Sequence, residues 1–193
     1  MNKNPFLHGY YTTKDLKILG FKSVGENVKI AKNCTIVGLE NISIGNNVQI
    51  DGGVSMIVNT GFLEIGNYVH ISNGCYLSCS GGVNMGDFSG LAAKVSIYSA
   101  TDDYIGNALS NCTVPNHLRI IRSGLVDIGR HCLVGTSTVV LPNVILGEGC
   151  SIGAMSLIPE NKKLEPWKVY FGSPVKPLKR RKRNALEMEK EIK

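Results

Sequence analysis

Four histidines, a carboxylate pair and six cysteines are the side chains of this chain with chemistry to offer. His117 stands in a polar stretch, Val114-Pro115-Asn116-His117-Leu118, where an imidazole is available as a base close to neutrality. His70 comes one residue before apolar Ile71 and so faces away from any core that Ile71 joins, while His131 and His8 lie at a corner and in the N-terminal lead. Asp102 and Asp103, followed by Tyr104, form a group able to orient or deprotonate an incoming nucleophile. An unperturbed aspartate near pKa 3.9 is a weak base toward a hydroxyl unless desolvated, whereas an amine needs less help. The plain alternative is a solvated turn. The cysteines contain no CxxC pair, and neither Cys79 nor Cys112 has a histidine at a spacing that suggests a nucleophile dyad.

The elements that must position these groups follow a hexad. Ile128, Val134, Val140, Leu146, Ile152 and Ile158 recur every sixth residue. On an α-helix that step turns the side chain by roughly 240° and leaves no apolar stripe. The residues two before each anchor, Cys132, Thr138, Val144, Cys150 and Ser156, are small or apolar, so each hexad reads as a short strand with two inward positions and a corner. Gly129, Gly135, Gly147 and Gly153 follow an anchor directly, where a tight bend favours a residue without Cβ. Three hexads close a triangular coil, and stacked coils bury a continuous apolar column. The same grammar recurs upstream through Val24, Ile30 and Ile36, then Ile44 and Ile50, then Ile65, Ile71, Leu77 and Val83, then Met85, Leu91 and Ile97. The phase slips between these runs are insertions at corners. Cys34, Cys75, Cys132 and Cys150 all occupy the small inward slot, which makes them structural thiols.

The hexads stop after Ile97 and resume near Ile128. The intervening stretch, rich in Asp, Asn, Tyr, His and Arg, is an excursion too long and too polar to be a linker. The division expected is a lead over 1–22, a repeat over 23–160 with the excursion at about 101–126, and a closure with a basic helical tail over 161–193. With 43% hydrophobic residues the chain can bury a sizeable core, and no stretch approaches the roughly 18 apolar residues of a membrane span. The N-terminus lacks the apolar run of a signal peptide, so a cytoplasmic location is expected. Net charge is +6, and from Lys176 onward eight basic residues face three acidic ones, so the body is nearly neutral. No nucleic-acid partner is expected. The tail is read first as a solvated helix, with weak association to an anionic membrane surface left open.

On this repeat the chain resembles the left-handed parallel β-helix (hexapeptide-repeat) acetyltransferases, in their sugar O-/N-acetyltransferase branch. Three pieces carry the resemblance: Ile128-Gly129 through Gly135-Thr136, Ile152-Gly153-Ala154-Met155-Ser156, and Gly172-Ser173-Pro174-Val175-Lys176. It implies an all-β, left-handed parallel β-helix with a long loop excursion and a short C-terminal helix, a homotrimer, and acetyl-CoA as co-substrate without metal. It further implies that Gly135, Thr136 and Ala154 meet the pantetheine arm, that Pro174 packs near the adenine, and that Lys176 faces a coenzyme phosphate. Where that branch carries its catalytic histidine, this sequence offers Asp102 or Asp103.

The function expected is acetyl transfer from acetyl-CoA to a sugar hydroxyl in surface-polysaccharide or O-antigen synthesis. N-acetylation of a nucleotide-linked amino-sugar is the alternative, and a non-catalytic β-helix binding protein the third option. Asp102 and His117 are the catalytic candidates, with His70, Asp103 and Tyr104 expected to meet the sugar or nucleotide-sugar. The γ-type carbonic anhydrases that share the fold gather three histidines around zinc; His70, His117 and His131 lack their His-x4-His spacing, so no metal is expected. Only about twenty residues precede the repeat, so the nucleotidyltransferase activity of the bifunctional relatives is not expected.

Overall fold

Alternating inward residues on short strands give the chain three flat faces. In the computed structural model, which describes residues 4 and 8–192, the faces form a left-handed parallel β-helix of about seven turns. Parts of the expected N-terminal lead, residues 1–3 and 5–7, lie outside the described residues, as does Lys193. Face B comprises Ser23–Val24, Ile42–Ile44, Leu63–Ile65, Val83–Met85, Val126–Ile128, Val144–Leu146 and Lys163–Leu164. Face A follows with Lys29–Ala31, Gln49–Ile50, His70–Ile71, Gly90–Leu91, Leu133–Val134, Ser151–Ile152 and Lys168–Phe171. Face C carries Thr35–Val37, Ser55–Ile57, Tyr76–Ser78, Ser96–Tyr98, Val139–Val140 and Leu157–Ile158. The chain visits them in the order B, A, C, so each strand pairs in parallel with the strand one coil away, as in the register Gln49 to His70 and His70 to Gly90. Both ends of face A are closed by antiparallel strands, Tyr10–Thr12 and Lys176–Arg180, which leaves no bare parallel edge there.

The anchors of the C-terminal hexads are all 2% exposed or less, and so are Ile30, Ile50, Ile71, Leu77, Leu91 and Ile97. Thr138, Cys132, Cys150 and Ser156 fill the narrower inward slots beside them. Thr138 donates its hydroxyl to the Gly153 carbonyl at 3.1 Å, which satisfies a polar atom that burial would otherwise penalise.

The corner glycines differ from the sequence expectation in their physical reason. At Gly135 a Cβ would stand 2.6 Å from the Ala154 nitrogen, and at Gly129 it would stand 2.8 Å from the Leu146 carbonyl oxygen. Glycine is required because the next coil passes too close for a side chain. The left-handed backbone falls two residues later, on His131 (φ 57°), Ser137 (φ 58°) and Met155 (φ 55°). Along the edge between faces B and A these positions carry rings that stack: Tyr68 on Phe88 at 4.9 Å, Phe88 on His131 at 5.0 Å, and His131 against Trp167 at 5.9 Å.

The basic run also departs from expectation. Up to Arg180 it is a strand, because Lys168–Phe171 offers an open ladder edge on which it pairs. Arg181 donates to the carbonyls of His131 (2.6 Å) and Gly149 (3.1 Å), and Arg183 lies over the Trp167 ring at 5.6 Å. Only Ala185–Met188 is α-helical, and Glu189 then accepts from His131 Nε2 and from Arg130, each at 2.8 Å. The tail is therefore folded against the prism instead of lying free in solvent.

Candidate functional site

The excursion leaves the prism after Ser99 and returns at Gly124, whose N–H donates to the Ser99 carbonyl at 2.9 Å. Its neck is a two-stranded antiparallel ribbon, Ala100–Asp102 against Ile121–Ser123. Just above the neck, Arg119 Nη2 donates to Asp102 Oδ1 at 2.7 Å, and the Asn111 amide donates to Oδ2 at 3.3 Å. The Arg119 bond holds the Asp102 carboxyl below the usual carboxylate range, against the opposing effect of desolvation. Such a group is a weak proton acceptor but a strong partner for a cationic or hydrogen-donating nitrogen. It lines a cleft of about 690 Å³ with Thr60, Tyr76, Ser78, Asn111 and Arg119.

The structure does not bring the other excursion candidates to this point. Asp103 is buried and its carboxylate accepts the backbone amides of Ile105 (3.2 Å) and Asn107 (2.5 Å), so it shapes the loop and is not presented to a ligand. Burial pushes its carboxyl up, and those amides outweigh it, leaving it below the ordinary value. Tyr104 is 83% exposed and makes no contact with the cleft. His117 sits in the 3-10 turn Asn116–Leu118, lining a separate open cleft with Gly106, Ala108 and Ile120. Within one chain Asp102 and His117 therefore line different clefts. His131, at its corner, is buried in the ring stack.

The edge between faces A and C gathers the coenzyme candidates. Gly135 and Gly153 stack in successive coils, with Thr136 and Ala154 exposed beside them. The Met155 amide donates to the Thr136 carbonyl at 2.8 Å, and the Ser137 amide to the Ala93 carbonyl at 3.0 Å. Among the described residues, the amides of Ala93, Thr136 and Ala154 have no acceptor within the protein. On the B–A edge the equivalent amides of Glu26, Asn46 and Asn67 are taken by Asn46, Asn67 and Asp87 side chains. The A–C edge thus presents a column of open N–H donors flanked by small side chains, suited to the carbonyls of a pantetheine arm. At its upper end the segment Gly172–Val175, with a cis Ser173–Pro174 bond, folds over Leu157, and exposed Lys176 starts the closing strand.

His70 lies on face A, and there the structure adds a residue that sequence reasoning missed. Asp51 Oδ2 is 2.8 Å from His70 Nε2, while Oδ1 accepts from Gln49 (2.9 Å) and from the Tyr10 hydroxyl (3.2 Å). Burial raises the Asp51 carboxyl, but the bonds from Gln49, His70 and Tyr10 prevail and hold it below its ordinary value. The signal was the register that sets Gln49 beside His70, because Asp51 is then two residues along the same coil. Burial pushes the Cys75 thiol up to about 11 and the Cys79 thiol up to about 12, which disfavours both as nucleophiles. Among the described residues no three His, Cys, Asp or Glu side chains are placed to share a metal ion.

Comparison with known proteins agrees with this architecture. Residues 126–160 match the family model of the bacterial transferase hexapeptide (six repeats). The chain is 42% identical over 180 residues to a dTDP-4-amino-4,6-dideoxy-D-glucose acyltransferase of Escherichia coli, covering 93% of each chain. It is 30% identical over 151 residues to WbbJ of Escherichia coli K12, which carries the name of a lipopolysaccharide biosynthesis O-acetyl transferase, covering 73% of this chain and 69% of the relative. Among solved structures, the N-acyltransferase AntD of Bacillus cereus, in complex with dTDP-4-amino-4,6-dideoxyglucose and coenzyme A, superposes with a TM-score of 0.88 at 39% identity, over 96% of this chain and 97% of that one. AntD with dTDP and 3-hydroxybutyryl-CoA gives 0.89 at 38% identity, over 96% of each chain.

Proposed function

Because this chain belongs to the hexapeptide-repeat acyltransferases, we propose that it moves an acyl group from acyl-CoA to the amine of a nucleotide-linked 4-amino-4,6-dideoxy sugar. The single observation that favours an amine over a hydroxyl is the Arg119-clamped Asp102. A carboxylate held ionised draws in and aligns an amino group, whereas it is a poor base for a hydroxyl. Acyl-CoA lies along the A–C edge, with the open amides of Ala93, Thr136 and Ala154 available to its carbonyls and Lys176 to its phosphates. The amine attacks the thioester carbonyl directly, one edge amide steadies the developing oxyanion, and coenzyme A thiolate departs without a covalent enzyme intermediate. Asp102 is the acceptor-orienting residue in this reading, and His117 and Tyr104 serve as outer contacts of the excursion.

Acetylation of a sugar hydroxyl is the second reading, favoured by the similarity to WbbJ. On either reading we propose a role in surface-polysaccharide synthesis and a cytoplasmic location, which the use of acyl-CoA and a nucleotide-sugar supports. Among the described residues no helix is long and apolar enough to cross a membrane. A homotrimer would set one chain's excursion against the A–C edge of its neighbour; sedimentation that gives a monomer at micromolar concentration would count against it. Thiol release from acetyl-CoA and 3-hydroxybutyryl-CoA, tested with dTDP-amino-sugars and with unaminated sugars, decides the acceptor. Turnover with hydroxyl acceptors alone would reverse the order of the two readings.

A further inference from the structure

Outside the excursion, one group of side chains on face A is built as a proton-handling unit. Asp51 begins the A–C corner, in the same row as Ser72, Ala92, Gly135 and Gly153, and its amide is fixed by the Ile71 carbonyl at 2.9 Å. Its two carboxylate oxygens are held from three sides, by Gln49, by Tyr10 on the closing strand, and by His70. An ionised carboxylate only accepts, so His70 Nε2 carries the hydrogen toward Asp51, and in the neutral imidazole the lone pair is then on Nδ1. The His70 side chain is 53% exposed, and among the described residues Nδ1 has no hydrogen-bond partner.

The neighbouring rung strengthens the case. Gly90 pairs beside His70, yet its backbone is not left-handed and a Cβ there would come no closer than 3.6 Å to any other residue's atoms. Among the described residues no contact beyond its chain neighbours demands glycine. The missing side chain leaves a shallow slot floored by Gly90, bounded by His70 on one side and half-exposed Leu133 on the other. Rungs are spaced by about 4.8 Å, so this slot lies level with the Ala92–Ala93 step of the A–C edge and one rung below Thr136.

We propose that His70 is the proton acceptor of the acyl transfer, with Asp51 as its positioning residue and the Gly90 slot as the place where the acceptor's reacting group lies, the orienting Asp102 being that of the neighbouring copy whose excursion meets this edge. The inference rests on the acyltransferase reading above. As the amine nitrogen bonds to the thioester carbon, the carbonyl pair moves onto oxygen and the nitrogen becomes cationic. Nδ1 takes its proton. Collapse restores the carbonyl and breaks the C–S bond, and the departing thiolate takes that proton back, so the imidazole ends the cycle neutral. The charged and titratable groups facing His70 are Asp51 from its own corner and Tyr10 from the closing strand; the Gly90 strand contributes none.

The test uses the full chain with acetyl-CoA and dTDP-4-amino-4,6-dideoxyglucose. His70→Gln should lower kcat about 100-fold or more, leave the KM for acetyl-CoA unchanged and reduce the acidic limb of the kcat/KM profile to the ionisation of the acceptor amine alone. Asp51→Asn should lower kcat less and displace that limb, and Gly90→Val should raise the acceptor KM while preserving the limb. A His70→Gln enzyme within threefold of wild type, or one whose acidic limb is identical to that of the wild type, overturns the proposal. Imidazole ¹⁵N NMR gives a readout that needs no turnover: the Nε2–H tautomer is expected for His70, and the Nδ1–H tautomer overturns the assignment. Wild-type protein that releases no thiol with any amino-sugar would sink the acyltransferase acceptor reading instead, and the tautomer would still decide the Asp51–His70 arrangement.

Discussion

Arg119 and Asp102 close the neck of the excursion through a single 2.7 Å contact, with the Arg119 side chain only 11% exposed and its Nε left without a partner among the described residues. The pair both fixes the loop and sets the charge state of the cleft. Asp102 has a folded value below its unfolded one, so its contribution is present above the ordinary carboxylate range and fades as pH falls through the lowered value. Protection factors for amide exchange over 104–118 should therefore fall in acid in the wild type, and already at neutral pH in Arg119→Gln. Asp102→Asn removes the same charge, so it should lower protection of the loop at neutral pH and cut kcat/KM by about ten- to a hundredfold, as expected for loss of an orienting contact. Unchanged kinetics with both variants would detach the cleft from catalysis.

Lys176 is exposed at the start of the closing strand and makes no ion pair among the described residues. If it meets a coenzyme phosphate, Lys176→Ala should raise the KM for acyl-CoA by roughly 5- to 30-fold, corresponding to about 1–2 kcal/mol, with kcat little altered. The acceptor KM serves as the internal control.

Gly135→Ala tests the close approach of coils. Its Cβ would meet the Ala154 nitrogen at 2.6 Å and the Ile152 carbonyl at 2.7 Å, with backbone on every side and no flexible side chain to yield. Overpacking of this kind costs roughly 1–3 kcal/mol, which calorimetry should register as a drop of several degrees in Tm. Thr136→Ala, one residue further into solvent, should leave Tm within about a degree.

Glu189 is the acceptor that ties the C-terminal turn to both Arg130 and His131. Glu189→Gln should lose about 1 kcal/mol of local docking and expose the amides of 185–192 to exchange, while the anchors of the prism stay protected. Equal protection in the two proteins would assign the docking to Arg181 and Trp167 alone.

The hexad made the fold legible, because a residue such as Ile152 must be inward once Val134 and Leu146 are, and a column of such residues admits only stacked coils. The reason for Gly135 was not legible, since the clash that forbids a side chain there comes from Ala154 on the next coil. Nor was the strand at Lys176–Arg180: charge run and composition suggested a free tail, and the deciding factor was an unpaired ladder on Lys168–Phe171. Asp102 was found as a chemical residue, but its partner was not, because Arg119 returns to it only after the excursion has doubled back. Asp51 escaped for a related reason. It stands 19 residues from His70, a separation that means contact only when coil length is known.

The neck formed by Ser99 and Gly124 has an evolutionary consequence. Both termini of the excursion are held by bonds within the prism, the Gly124 amide to the Ser99 carbonyl and the Gly81 amide to the Ser99 hydroxyl, so nothing in the core records what lies between them. Lengthening or replacing such a segment costs only the slowly growing entropy of closing a loop. The intervening two dozen residues form a cassette, free to change in length and side chains between relatives while the stacked coils pass on unaltered.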